Sequence, residues 1–226
     1  MLLFGALIWL FASRRMLVQP ILESGMPAPA QQVGSMLLLW SLAVLMALNS
    51  NMGRIAVQDS AQWALWQLSP APAAAILRAK LQALFVLLLW PIALVIAVGV
   101  HVLDAGLLPT LVFLGCALFG SLLAIGVLAF VGTLPWLVRP DASGRPGHGA
   151  RPLVAAMLLV LLFELALVPP VITAIWLGPE LAMHPEGLGE AALHMLAVCA
   201  LTGMPVFLTG TWLGSRNFAR LLRPHR

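Results

Sequence analysis

Long apolar runs, separated by short polar stretches, are the feature that most limits what this chain can form. Several of the runs reach the roughly 20 residues that cross about 30 Å of hydrocarbon as an α-helix. They lack the alternation of apolar and polar residues that marks a porin strand. Over the whole chain 62% of residues are hydrophobic and 9% are charged, whereas a soluble domain carries about 25% charge. The sequence therefore predicts an all-α, polytopic membrane helical bundle.

About six transmembrane helices are predicted, forming a single transmembrane domain over residues 1–226. The stretches between them are rich in Pro, Gly or charged residues and are assigned to loops. Whether the first run is a full span is left open. The predicted spans cover about 2–17, 34–57, 81–102, 107–134, 153–177 and 191–213.

The positions of Lys and Arg orient these spans, because positive residues are held on the cytoplasmic side of a membrane. With both termini inside, Arg14 and Arg15 are the only exceptions among the twelve Lys and Arg residues. The basic balance is thus a topology signal and does not indicate nucleic acid. The predicted location is the cytoplasmic (inner) membrane, with the basic tail 216–226 at anionic lipid headgroups.

The longest polar-marked interruption, 58–80, lies between the second and third spans. Asp59 followed by Gln62 has the spacing of a helix N-cap, and the helix should stop by Ser69 because Pro70 disfavours helical geometry before it. Pro72 then opens the next helix. The segment is interpreted either as a lipid-anchored interfacial helix or as a docking site for a soluble partner. The predicted partner-binding residues are Asp59, Trp63, Leu65, Trp66, Leu68 and Pro70.

The order of elements around this segment resembles that of the permease subunits of type-2 ATP-binding-cassette exporters. It consists of a second helix, an acid, an amphipathic L-x-x-SP segment and a basic residue before a third helix. The Gly132 to Pro135 end of the fourth span also resembles that class. The layout covers the whole chain, which is similar in size to the stand-alone permeases of heme exporters. The matching residues around the segment are Asp59, Leu65, Leu68, Ser69, Pro70, Arg78, Lys80 and Pro91.

This resemblance implies a half-transporter that forms a homo- or heterodimer and rests on separate ATPase subunits. The segment 58–80 would be its coupling helix. The chain has Lys80 as its only lysine and no G-x-x-x-x-G-K-[ST] phosphate cradle. We therefore expect no cofactor in this chain and no ATPase activity of its own, with ATP bound by a partner subunit.

Polar and small residues inside the spans are the remaining candidate sites. Glu164 should face the bundle interior, be paired or be protonated, because an ionised carboxylate is costly in hydrocarbon. Together with Asn49 and Asn51 it would line a substrate path or bond neighbouring helices. Gly210 and Gly214 have the small-x-x-x-small spacing of a close helix contact and are assigned to a dimer contact.

Two other functions stay open from the sequence. One is a polytopic membrane enzyme or cofactor-handling protein that uses Glu164 and the outer-loop histidines, although no nucleophile–base arrangement can be assembled. The other is a non-transporting scaffold subunit. Cys116 and Cys199 are interpreted as small packing residues, and no metal site is predicted. The outer-loop groups are His101, Asp104, His184, Glu186 and Glu190.

Overall fold

The regular secondary structure of the described residues is helical apart from one short strand pair. Its helices are α1 (Ala28–Asn51), α2 (Ala73–Val102), α3 (Leu107–Val131), α4 (Met157–Ala166) and α5 (Leu188–Leu222). The strands are β1 (Val138–Pro140) and β2 (Pro146–His148). The computed structural model describes residues 19, 28–51, 68–134, 138–140, 146–148, 157–166, 169–170, 172–173 and 187–222.

Three of the described helices are long and apolar enough to cross a membrane: Ala73–Val102, Leu107–Val131 and Gly189–Leu222. The chain is therefore a multi-pass membrane protein, and the helical membrane class predicted from the apolar runs is confirmed. The predicted first span, 2–17, lies outside the described residues. The total of six spans stays a prediction.

Helix α2 begins earlier than its apolar run. The carbonyl group of Pro72 accepts hydrogen bonds from the amides of Ala75 at 2.8 Å and Ile76 at 3.3 Å. The helix continues without a break through the buried Pro91 to Val102, over 30 residues. At 1.5 Å per residue it is about 45 Å long, which exceeds the hydrocarbon thickness. Its first turns can therefore extend to the headgroup level.

The turn 103–106 joins α2 to α3 and is held by α1. The side-chain amide of Gln32 donates to the carbonyl oxygens of Leu103 and Asp104, at 3.2 and 3.1 Å. Asp104 has a φ of 49°, a left-handed conformation that Asp tolerates better than most residues. The turn closes a helical hairpin, because residues 74–85 of α2 and 122–125 of α3 line the same groove.

The strand pair lies in the stretch that was assigned to a loop. Strands β1 and β2 are antiparallel, with Val138 opposite His148 and Arg139 opposite Gly147. The sequence does not predict them, because Pro and Gly are depleted in strands and each piece has only three residues.

Internal contacts divide the chain into two compact units. The first comprises Met1–Val44, Leu88–Gly120 and Leu167–Thr202, and its core includes Met36, Leu39, Trp40 and Phe113. The second comprises Leu45–Leu87, Ser121–Ala166 and Gly203–Arg226. Its fully buried side chains include Leu77, Leu123, Ile125, Leu128, Phe163 and Phe218. The single transmembrane domain stays a prediction.

Candidate functional site

An exposed turn precedes α2. Leu68 is helical and 83% exposed, and Ser69 leaves the helical conformation. The hydroxyl oxygen of Ser69 accepts a hydrogen bond from the amide of Ala71 at 3.1 Å. Leu68 is helical and Ser69 is not, which agrees with the stop that Pro70 predicts, but the rest of the predicted helix lies outside the described residues. Of the six predicted partner-binding residues, Leu68 and Pro70 are placed here and both are exposed. The others lie outside the described residues: Asp59, Trp63, Leu65 and Trp66.

A groove of about 570 Å³ opens in the second unit, next to this turn in sequence. Its walls come from the first third of α2, the second half of α3 and the second half of α5. We call it the α2–α3–α5 groove. Most of its surface is apolar, and its main apolar residues are Leu77, Leu81, Phe85, Leu122, Ile125 and Phe207. Such a surface holds a hydrocarbon group by burial rather than by hydrogen bonding.

The polar side chains of the groove differ in what they offer a ligand. The hydroxyls of Thr211 and Ser215 donate to the carbonyl oxygens four residues earlier in α5, each at 2.7 Å. Arg78 and Gln82 also line the groove and are exposed. Among the described residues, no acidic side chain pairs with Arg78. Its guanidinium group is therefore the cationic group that the lining presents to a ligand.

A second cation stands beside the groove wall. The guanidinium carbon of Arg216 lies 3.8 Å from the ring centroid of Trp212. Trp212 lines the groove and is 53% exposed. Cation–π contact of this kind holds the charge over the aromatic face. Trp and Arg side chains together are typical of the headgroup level of a membrane, where one end of each is apolar and the other is hydrated.

The glycine pair of α5 makes a close contact within the chain. Gly210 lies against the main chain of Gly126, and Gly214 lies against the carbonyl group of Ala129. Both α5 glycines are buried, so their spacing correctly indicates close helix packing. The partner in this contact is α3 of the same chain. A contact of these glycines with a second copy stays a prediction.

Among the predicted intramembrane polar residues, Glu164 is the one whose side chain the structure describes, and it does not line the groove. Glu164 is exposed on α4, whereas the neighbouring Phe163 is completely buried. Glu164 therefore lies on an exposed face of α4 in the described part of the chain. Asn49 and Asn51 belong to the last turns of α1, and the structure describes their backbone alone. A substrate-path role for these three residues stays a prediction.

Several groups that could serve metal or cofactor chemistry lie in the described part of the chain. Within the described part of the chain, no three His, Cys, Asp or Glu side chains are grouped so as to hold a metal ion. His194 lies on α5, with its Nδ1 atom 3.0 Å from the carbonyl oxygen of Glu190. His184 and Glu186 are outside the described residues. Cys116 and Cys199 are free, buried and packed together with Val112 in the first unit.

The sequence did not predict the groove. Leu77, Leu81 and Phe85 recur at helical spacing, but a groove wall and a lipid-facing surface have the same composition. One signal was available in Arg78, which together with Lys80 places positive charge near the beginning of a long, largely apolar helix. The comparisons with known proteins match this chain to no family model, no curated protein and no solved structure. A function for the chain therefore rests on the turn and the groove.

Proposed function

We propose that this chain is the membrane-spanning permease subunit of an ATP-binding-cassette exporter of the cytoplasmic membrane. It forms the substrate path and is coupled to a separate ATPase subunit through the segment 58–80. The observation that supports this most strongly is the exposed turn at Leu68, which leads directly into the transmembrane helix α2. An ATPase seated on the turn would be connected to the membrane helix without an intervening flexible linker.

The exposed leucine is a suitable anchor for a partner. Burying a Leu side chain contributes roughly 1.5–3 kcal/mol relative to leaving it exposed. Leu68 gains this free energy only when something covers it. The turn behind it is closed by the Ser69 hydroxyl and by the Pro72 carbonyl group, which accepts the first bonds of α2. A push on Leu68 would therefore move the beginning of α2 with it.

The groove provides a reason why such a movement matters. Its α2 wall runs from Ala74 to Phe85, immediately after the turn. A shift of α2 along or away from α5 would change the width of the groove. This relation supports the proposal that the groove belongs to the substrate path, and that ATPase motion opens and closes it. The substrate itself is not defined by the apolar lining.

The proposed topology places the turn and the groove mouth on the cytoplasmic side. Arg78, Arg216 and Arg220 then lie inside, in agreement with the positive-inside rule, and Asp104 and Glu190 lie outside. Both termini are cytoplasmic in this arrangement. The complete exporter would contain two permease chains and two ATPase chains, with ATP bound by the latter.

The proposal is tested by co-purification in mild detergent of the full chain with the ATPases of its source cell. The wild-type chain is expected to recover one ATP-binding-cassette ATPase in stoichiometric amount. Leu68→Glu should abolish recovery, because it places a carboxylate in the proposed apolar contact. The matched control is Leu107→Glu. Leu107 is 78% exposed and is the first residue of α3, after the turn that follows the far end of α2. Recovery of no ATPase, or equal effects of the two substitutions, would contradict the proposal.

A further inference from the structure

We propose that the α2–α3–α5 groove holds one anionic phospholipid, with an acyl chain along its apolar walls and the phosphate group at Arg78. This goes beyond the permease proposal, because the lipid site requires neither an ATPase nor transport. The groove volume of about 570 Å³ lies within the about 300–1,000 Å³ of pockets that bind small molecules.

The polarity of the groove changes along its length. The α2 wall extends from Ala74 to Phe85, which corresponds to about 16 Å of helix. Arg78 lies near the beginning of this stretch, whereas Phe85 lies at its far end. The α5 wall has the same gradient of polarity, because the apolar Phe207 comes first and Trp212 and Ser215 follow it toward the end of α5. A ligand with one charged end and a long apolar body fits this gradient.

The charge of the groove selects the kind of headgroup. Arg78 is not paired with an acid among the described residues, and Arg216 stands over Trp212 at the groove wall. The planar guanidinium fork of Arg matches the oxygen atoms of a phosphate group in a bidentate arrangement. An anionic lipid complements these two cations. A zwitterionic lipid carries a positive group beside its phosphate and complements them less well.

The remaining polar atoms argue against a soluble, strongly polar occupant. Thr211 and Ser215 already donate to carbonyl oxygens of their own helix, and the walls below them are aliphatic and aromatic. A sugar or nucleobase would lose its hydration against these walls, where Gln82 is the other long polar side chain of the lining besides Arg78. The lining therefore favours hydrocarbon below the charged mouth.

Trp212 provides the readout for an experiment. The full chain is reconstituted in phosphatidylcholine nanodiscs that contain a minor fraction of either brominated phosphatidylglycerol or brominated phosphatidylcholine. Bromine on the acyl chain quenches nearby Trp fluorescence.

Because the chain has eight Trp residues, the Trp212 contribution is the difference between the wild type and Trp212→Phe. We expect brominated phosphatidylglycerol to quench this contribution at about fivefold lower mole fraction than brominated phosphatidylcholine, the factor expected for one Arg at an anionic surface.

Substitutions then separate a built site from general surface charge. Arg78→Ala should remove the preference for phosphatidylglycerol, and Arg78→Lys should keep part of it. Arg220→Ala is the matched control, because Arg220 is exposed near the end of α5 and does not line the groove. It should leave the preference unchanged. Each variant is checked for a wild-type elution profile before it is compared.

Three results would overturn the proposal. One is equal quenching of Trp212 by the two brominated lipids in the wild type. Another is an equal loss of preference in Arg78→Ala and Arg220→Ala, which would assign the effect to the charge of the whole surface. The third is relief of quenching by millimolar inorganic phosphate, which would assign the cationic site to a free anion. Failure of the ATPase co-purification would leave the lipid proposal unaffected.

Discussion

Gly210 of α5 lies directly against the main chain of Gly126 of α3, so closely that a Cβ atom on Gly210 would overlap the Gly126 carbonyl group. A Cβ atom on Gly126 would in turn lie 2.5 Å from the carbonyl oxygen of Val206. In lipid, helices associate through close packing rather than through the hydrophobic effect, and small residues allow the shortest approach. This crossing therefore determines how α3 and α5 pack in the second unit.

We expect Gly210→Ala to destabilise the protein by about 1–3 kcal/mol, as overpacking of a tight contact does. The atoms that the methyl group would meet belong to the backbone of Gly126, so the helices must move apart. The measurement is thermal unfolding of the purified full chain in one detergent.

Gly189→Ala is the control for that substitution. Gly189 is also in α5, and apart from its chain neighbours and its own helix backbone, no atom of the described residues lies within 4 Å of the position that its Cβ would take. Its unfolding temperature should stay at or above the wild-type value, because Ala has the higher helix propensity. Equal unfolding temperatures for the two variants would show that α3 and α5 do not approach at Gly210.

Removal of two buried hydroxyls of the second unit should change stability differently. Ser121 is completely buried, and its hydroxyl has no hydrogen-bond partner among the residues that the structure describes. Thr133 is equally buried, but its hydroxyl donates to the Ala129 carbonyl oxygen at 2.7 Å. We expect Ser121→Ala to raise the free energy of unfolding by about 1 kcal/mol, because an unsatisfied polar group is removed.

Thr133→Val is the companion variant and should be neutral or destabilising, since it removes a hydrogen bond that is formed. Denaturant unfolding of both variants measures the difference. A loss of stability in Ser121→Ala would mean that the Ser121 hydroxyl is bonded in the folded protein.

The cysteine pair tests the packing of the first unit. Cys116 of α3 and Cys199 of α5 are both free and buried, and their thiols are close enough to share a hydrogen bond. We expect a membrane-permeable oxidant to join them within one chain, which is detected as a linked peptide by mass spectrometry after digestion. Cys116→Ala should abolish the product. A link formed only between two copies would contradict the packing of α3 against α5 in this unit.

The beginning of α2 shows what local sequence rules can predict. Pro70 predicts that Ser69 leaves the helical conformation, as it does, and Pro72 precedes the start of α2, because these effects involve a few adjacent residues. The far end of α5 shows the limit of hydropathy. The helix continues to Leu222 although the apolar run stops near residue 213, because hydropathy marks the lipid boundary and not the last helical turn.

Contacts between distant segments could not be predicted from the sequence. The Gly210 and Gly214 spacing indicated a close helix contact, but it could not tell α3 of the same chain from a second copy. The groove could not be predicted because its walls come from α2, α3 and α5, and each wall alone resembles a lipid-facing surface. Glu164 shows the same limit, since its exposure depends on how α4 packs.

The most direct test of the proposed coupling role is photo-crosslinking at Leu68 in living cells. A photoreactive amino acid replaces Leu68 in the full chain, and a second strain carries it at Leu107 as the control. We predict a covalent product between position 68 and an ATP-binding-cassette ATPase, and no such product from position 107. If position 68 gives products with lipid alone, or only with molecules confined to the outside of the cell, the coupling role of this segment is contradicted.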